Sequence, residues 1–124
     1  MEISSRTLAA GFVFPEGPRW HDGKLWFSDQ HDFTVHVLTP DGTPVESFEV
    51  AGRPSGMGWL PDGDLLVVSM MDHKLFRRRN GQLTIHADFA AIHPGHSNDM
   101  VVDKAGRAFV GNIGFDFQDR KSVV

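Results

Sequence analysis

Cysteine is absent from the 124 residues, and no apolar run is long enough to cross a membrane. The first absence excludes disulfide scaffolds, cysteine-ligated zinc and thiol catalysis. A membrane span needs about 18 apolar residues or more, so we expect no membrane partner. The N-terminus has no basic segment followed by a long apolar run, which predicts no signal peptide. Together with the missing cysteines, this favours a cytoplasmic location.

An excess of basic charge is also lacking. Lys and Arg number 12 against 16 Asp and Glu, which gives a net charge of −4. Nucleic-acid-binding proteins usually present a basic face, so we expect no nucleic-acid partner. The one basic run, Arg77 to Arg79, is interpreted as a solvated strand end rather than a phosphate cradle. The hydrophobic content of 40% fits a globular fold of one domain or part of one.

Short runs rich in β-branched and aromatic residues alternate with tight turns along the chain. Asp-Gly and Asn-Gly dipeptides separate many of them, and both residue types tolerate the positive φ of a hairpin turn. No segment has a sustained helical period. The predicted fold class is therefore all-β, with strands at residues 24–29, 33–39, 45–50, 64–70, 73–78 and 82–87.

A longer repeat is visible in three similar stretches, residues 16–29, 55–69 and 98–112. Their turn glycines, Gly23, Gly63 and Gly106, are 40 and 43 residues apart. A four-strand unit of this period predicts β-propeller blades, whereas an immunoglobulin-like sandwich would not repeat itself in this way. Trp20, Trp26 and Trp59 are expected to pack between the blades.

The length predicts an incomplete ring. At about 40 residues per blade, the chain holds about two and a half to three blades, and a closed propeller needs about 4–8. Residues 1–124 are thus interpreted as a partial propeller, with 118–124 as an irregular or truncated tail. Our hypothesis is that the sequence is the N-terminal half of a longer propeller. Self-association that closes the open arc is the alternative way to cover its end faces.

Three polar residues, Glu16, Ser55 and Asn98, are expected just before the inner strand of successive units. Glu16 and Asn98 offer oxygen ligands of the kind that hard cations such as Ca²⁺ take. The simpler interpretation is a loop carboxylate and an Asx turn. The motif "HPGH" places His93 and His96 three residues apart, but Pro-Gly between them predicts a loop rather than a helical metal-ligand pair.

The stretches "FPEGPRWHDGKLWFSD", "GRPSGMGWLPDGDLLVV" and "HSNDMVVDKAGRAFVGNIGFDF" carry a family resemblance. Over residues 10–117 the chain resembles gluconolactonase, regucalcin (senescence marker protein) and luciferin-regenerating enzyme. The resemblance implies a six-bladed β-propeller and a metal-dependent lactone hydrolase, so this chain would cover about half of the fold.

The resemblance also implies roles for single residues. Glu16 falls on the family's first metal ligand, and Asn98 on an asparagine that contacts the substrate near the metal. His96 stands where similar sugar-lactone hydrolases often have an arginine, which changes the substrate oxygens recognised. The family's other ligands, a later Asn and a later Asp that is also the proposed base, have no place in these 124 residues. The catalytic residue therefore stays unknown.

The expected function is hydrolysis of a small, sugar-like lactone to a hydroxy acid with a divalent metal ion. Ca²⁺ is the first choice, and Zn²⁺, Mn²⁺ and Mg²⁺ stay open. The alternative is a catalytically inactive propeller fragment or binding scaffold. A related propeller hydrolase acting on other esters is a third interpretation.

Overall fold

The computed structural model describes residues 1–114, and the predicted tail at 118–124 lies outside the described residues. All six predicted strands are present within one or two residues of their predicted bounds. The ten strands are β1 (Pro15–His21), β2 (Lys24–Asp29), β3 (Thr34–Leu38), β4 (Pro44–Glu49), β5 (Pro54–Trp59), β6 (Leu65–Ser69), β7 (Lys74–Arg79), β8 (Gln82–Asp88), β9 (Ser97–Val102) and β10 (Ala108–Asn112). Within residues 1–114 the helical content is one short 3₁₀ helix, Gln30–Asp32, and no helix there could span a membrane.

The strands form three antiparallel sheets in chain order. The first is β1-β2-β3-β4, the second is β5-β6-β7-β8, and the third is the pair β9-β10. We call the first two sheets blade 1 and blade 2, and the pair the third sheet. This confirms the all-β fold class and the prediction of propeller blades, with two complete four-stranded units and the start of another.

The hairpin turns have the backbone that the sequence predicts. Asp22 and Gly23 have φ of 51° and 70°, and Asn80 and Gly81 have φ of 50° and 76°. Two successive residues at positive φ match the right-handed twist of the flanking strands. The turns therefore fix the register in which β1 pairs with β2 and β7 with β8.

Hydrophobic layers join neighbouring sheets. Between blades 1 and 2 lie Val35, Val50, Met57, Leu65 and Val67. Between blade 2 and the third sheet lie Leu66, Val68, Leu75 and Met100. Because side chains alternate along a strand, β6 supplies one layer with its odd residues and the other with its even ones.

The tryptophans differ from one another in this packing. Trp26 and Trp59 meet edge to face between the blades, with ring centroids 5.2 Å apart. The prediction for Trp20 is wrong, since its side chain is 64% exposed. Its neighbours Arg19 and His21 face blade 2, so alternation turns Trp20 to the opposite side of β1.

The basic run on β7 is held by carboxylates. Arg77 and Arg79 both pair with Asp62 and Asp64 at the β5-β6 turn. Arg78 reaches across to blade 1, where it pairs with Glu46 at 2.6 Å and lies 4.1 Å from the centre of the Phe48 ring. The middle arginine of the run thus ties the outer parts of the two blades together.

The N-terminal arm, residues 1–14, lies against the other face of blade 1. The Phe12 ring meets the Phe27 ring edge-on at 4.8 Å. The buried carboxylate of Asp29 accepts hydrogen bonds from the backbone N–H groups of Val13 and Phe14. Gln30 returns one bond to the Phe14 carbonyl. The arm is therefore anchored at the point where β2 ends.

Candidate active site

A cleft of about 830 Å³ lies where the inner strands of the three sheets converge. Each sheet contributes polar side chains to its wall. The polar residues that line it are Glu16, Gln30, His31, Arg53, Ser55, His73, His96, Asn98 and Asp99. The structure thus brings together all three predicted site residues, Glu16, His96 and Asn98, with several that sequence reasoning did not name.

Glu16 lies at an irregular part of β1 and lines the cleft. The pairing of β1 with β2 shifts register between Glu16 and Arg19, and the pairing of β5 with β6 shifts between Pro54 and Met57. Such bulges redirect side chains at the ends of strands. The Glu16 side chain is exposed, and it has no hydrogen bond or ion pair with any residue in 1–114. Its carboxylate is free to bind a cation.

Asn98 ends a chain of hydrogen bonds that crosses all three sheets. Gln30 Nε2 donates to Ser55 Oγ over 3.1 Å, and Ser55 Oγ donates to Asn98 Oδ1 over 3.0 Å. Ser55 and Gln30 are buried, whereas Asn98 is only half-buried. The chain holds the Asn98 amide on the wall of the cleft, and its Nδ2 group donates no hydrogen bond to residues 1–114.

The two histidines of "HPGH" lie in a loop between β8 and β9, as predicted, and their side chains have different surroundings. His93 is buried, its Nδ1 lies 2.7 Å from Ser97 Oγ, and its ring stacks on Phe89. Burial lowers the pKa of His93, and the nearby His73 lowers it further. His96 instead lines the cleft, where its ring centre lies 6.3 Å from that of His73.

Asp99 lines the cleft too, but its charge is already compensated. Arg19 Nη2 donates to Asp99 Oδ1 at 2.7 Å and to the Met100 carbonyl at 3.0 Å, while Nε donates to the Met57 carbonyl. One arginine of blade 1 therefore binds blade 2 and the third sheet. Arg19 is the arginine of the "EGPRW" motif, and in the structure it connects the three sheets.

The metal prediction can be tested against the donors present. Glu16 supplies an unpaired carboxylate and Asn98 a carboxamide oxygen, which are ligand types that Ca²⁺ takes. Both residues line one cleft, so they fit as part of a ligand set. Among residues 1–114, the one group of three acidic or imidazole ligands within 4.8 Å is Asp29, Asp32 and His36, which does not include Glu16. Asp29 there already binds the N-terminal arm.

Sequence reasoning missed Gln30, Arg53 and His73. Gln30 and Met70 begin the turn after the second strand of their blades, and His73 closes that turn. Arg53 immediately precedes β5, as His96 immediately precedes β9. The repeat could have identified Arg53. His96, a predicted site residue, stands immediately before its inner strand, and Arg53 has the same position in blade 2.

Residues 14–123 match the sequence model of the family described as the SMP-30/Gluconolactonase/LRE-like region. The chain belongs to this family. The match covers most of the sequence and includes the "EGPRW" motif and the Asn98 region. It confirms the resemblance drawn from those motifs. Among curated proteins, no sequence matches the chain significantly.

Solved structures show the same fold. A gluconolactonase from Xanthomonas campestris superposes with a TM-score of 0.76 at 22% identity, over 93% of this chain and 39% of that one. A calcium-binding protein, regucalcin, from Agrobacterium tumefaciens gives 0.66 at 25% identity, over 82% and 35%. Virginiamycin B lyase from Staphylococcus aureus gives 0.66 at 17%, over 80% and 34%. The chain thus spans between about a third and two fifths of these relatives' length.

Proposed function

We propose that the cleft binds a small lactone and takes part in its metal-dependent hydrolysis to a hydroxy acid. The observation that carries the proposal is the joint position of Glu16 and Asn98 on one polar cleft of about 830 Å³, in a chain of the gluconolactonase family. A cleft of that size suits a small-molecule ligand. One structural relative is a gluconolactonase and another is a calcium-binding protein. These two relatives support the proposal of a lactone substrate and a divalent metal ion.

The chain's own residues would divide the work. A divalent ion held through the Glu16 carboxylate would supply Lewis-acid polarisation of a lactone carbonyl. Asn98, held by Ser55 and Gln30, would donate a hydrogen bond to a ring or hydroxyl oxygen of the substrate. His96 would contact another substrate oxygen from the third sheet. The general base for water is not assigned to any residue of 1–114.

A binding scaffold without catalysis is the second candidate. It is favoured by one observation: within residues 1–114, Glu16 belongs to no close group of three acidic or imidazole ligands. In that case the cleft would hold a polyhydroxylated ligand through the Gln30–Ser55–Asn98 hydrogen bonds without turning it over.

Isothermal titration with Ca²⁺, Mn²⁺ and Zn²⁺ tests the metal role of Glu16. We expect one ion to bind wild type and to lose at least about tenfold in affinity with Glu16→Gln, because the ligand loses its charge. Glu49→Gln is the matched control, since Glu49 is exposed at the end of β4 and lies outside the cleft. Equal binding by all three proteins would refute the metal role.

Hydrolysis of glucono-1,5-lactone in a pH-stat separates the two candidates. Turnover that needs the ion and falls with Glu16→Gln supports the lactonase. Ion binding without turnover by the full chain supports the scaffold. We propose a cytoplasmic location, which the absence of cysteine from the sequence favours.

We also propose that a second copy of the chain covers the open faces. On one end Trp20 is 64% exposed, and on the other Val101 and Phe109, which pair across β9 and β10, are 60% and 57% exposed. Two different faces at opposite ends allow head-to-tail closure into a two-fold ring. Light scattering should give a dimer for wild type and a shift toward monomer for Trp20→Ser and for Val101→Ser. A monomer for wild type would refute the proposal.

A further inference from the structure

Arg53 places a positive charge on the wall of the cleft. It lines the cleft beside Ser55 and His73, and it forms no ion pair within 4.0 Å with any carboxylate in residues 1–114. Its guanidinium carbon lies 5.4 Å from the centre of the Phe33 ring, and its Nε is buried without a hydrogen-bond partner. Its Nη groups donate no hydrogen bond to residues 1–114, so a guanidinium held on an aromatic ring can offer them to an anion in the cleft.

The backbone under Arg53 is in a conformation that arginine rarely adopts. Its φ is 81°, in the left-handed region. Three hydrogen bonds keep it there: Arg53 N–H donates to the Val50 carbonyl, Met70 N–H to the Arg53 carbonyl, and Met71 N–H to the Gly52 carbonyl. Non-glycine residues held in this region cluster at ligand sites, where the surrounding structure maintains the strain.

The neighbouring acidic groups leave this cation uncompensated. Asp99 is bound by Arg19, and Asp72 accepts a hydrogen bond from Ser69 Oγ beside Gly52. Glu16 lies on the same cleft, but its carboxylate is the proposed ligand of the metal ion. Among residues 1–114, the cleft wall therefore carries a guanidinium without an ion pair and the imidazoles of His31, His73 and His96.

The position of Arg53 repeats that of His96. Pro54 pairs with Ser69 at the start of β5, and Ser97 pairs with Asn112 at the start of β9. Arg53 and His96 therefore immediately precede equivalent strand positions, and both line the cleft. Blade 2 thus has a planar guanidinium at the position where the third sheet has the His96 imidazole.

We propose that Arg53 is the anion-recognition residue of the cleft, so that its ligand is a sugar-like lactone or hydroxy acid bearing a carboxylate or phosphate group. The inference rests on the proposed function for the lactone itself. Its anion contact does not involve Glu16 or a metal ion, and it can therefore be tested apart from them.

The test is binding to the full chain in the presence of EDTA, followed by NMR of backbone amides and arginine Nε–Hε groups. Gluconate is the carboxylate probe, sorbitol is its uncharged counterpart, and inorganic phosphate is the second anion. We expect gluconate or phosphate to bind at least about tenfold more tightly than sorbitol and to shift the Arg53 Nε–Hε signal. Preference for one of the two anions identifies the class of charged group.

The variants separate recognition from folding. Arg53→Gln should lose about tenfold or more in anion affinity, whereas Arg53→Lys should retain part of it because the charge remains. Arg6→Gln, in the exposed part of the N-terminal arm, is the control for loss of one positive charge. Thermal unfolding of each variant checks that it folds.

Equal affinity for gluconate and sorbitol, no detectable anion binding by wild type, or wild-type binding by Arg53→Gln would overturn the proposal. Failure of Glu16→Gln to change metal binding would overturn the metal role alone. The two hypotheses can therefore fail separately.

Discussion

Blades 1 and 2 share a backbone and differ at the residues that meet the cleft. Glu16 and Ser55 are equivalent in the two strand pairings, yet one is an exposed carboxylate and the other a buried hydroxyl. Phe33 and His73 close equivalent turns with φ of 56° and 55°. The two blades thus have the same backbone conformation at these positions, and they differ in the side chains that they present to the cleft.

The inner strands show a second difference. At the position of Arg19 in blade 1, blade 2 has Gly58, and a Cβ there would lie 2.5 Å from Val102 Cγ2. Blade 1 therefore reaches the third sheet through a long side chain, whereas blade 2 contacts it by close approach of the backbone. The two blades use opposite means to hold the same neighbour.

The largest expected effect compares the glycines of the two inner strands. A Cβ on Gly56 would lie 2.5 Å from Asp99 Oδ1 and from Met100 N. Because backbone cannot easily move there, Gly56→Ala should lower the free energy of unfolding by about 3 kcal/mol or more. On Gly17 the nearest atom is Ser55 O at 3.2 Å, with φ of 59°, so Gly17→Ala should cost about 1–2 kcal/mol. Urea denaturation measures both, and equal losses would contradict the comparison.

Arg19→Met tests the long side chain of blade 1. It removes the ion pair with Asp99 and the hydrogen bonds that Arg19 donates to the partly buried carbonyls of Met57 and Met100. We expect a loss of about 2 kcal/mol in the free energy of unfolding. Arg107→Met, which removes an exposed pair within the third sheet, should cost less than about 0.5 kcal/mol. A similar loss in both variants would show that the inter-sheet contacts of Arg19 add nothing.

Arg53→Gly should change stability in the opposite direction. Glycine adopts positive φ without steric cost, so the variant should gain about 0.5–1 kcal/mol in the free energy of unfolding. Arg53→Gln keeps the Cβ at φ 81° and should show no gain. A more stable Arg53→Gly that no longer binds gluconate would mean that the strained arginine serves binding. Destabilisation by this change would argue that the side chain supports the fold.

The smallest expected effect concerns pH and His93. Its pKa in the folded protein lies below the ordinary value of 6.5 because the ring is buried. The unfolded chain therefore takes up the proton first, so stability is complete above about pH 6.5 and is lost as the pH falls through the lowered pKa. We expect Tm to fall by a few degrees between pH 7 and pH 5.

His93→Asn should flatten that dependence, while His86→Asn, which removes an exposed imidazole, should preserve it. Part of the slope should remain, because desolvation also lowers the pKa of His21 where it stacks on Trp59. An unchanged slope in His93→Asn would remove His93 as the source.

The fold was accessible from the sequence because its signals are local. Asp22-Gly23 and Asn80-Gly81 mark hairpins by their tolerance of positive φ, and the spacing of turn glycines gives the blade period. Glu16 and Asn98 were found through the repeat and the resemblance. Trp20 was misassigned because the repeat predicts that its side of β1 is apolar but does not show whether a neighbouring sheet covers that side. Arg53 was missed because its φ and its lack of a carboxylate partner depend on tertiary contacts.

The anchoring of the N-terminal arm has a practical consequence. Asp29 holds the arm through Val13 and Phe14, and the next residue, Gln30, begins the hydrogen-bond chain to Asn98. Deleting the arm would leave a buried carboxylate without its donors one peptide bond away from the cleft. Expression tags should therefore be added before Met1 and not in place of the first residues, since trimming this segment would remove both the donors to Asp29 and Phe14, which lines the cleft.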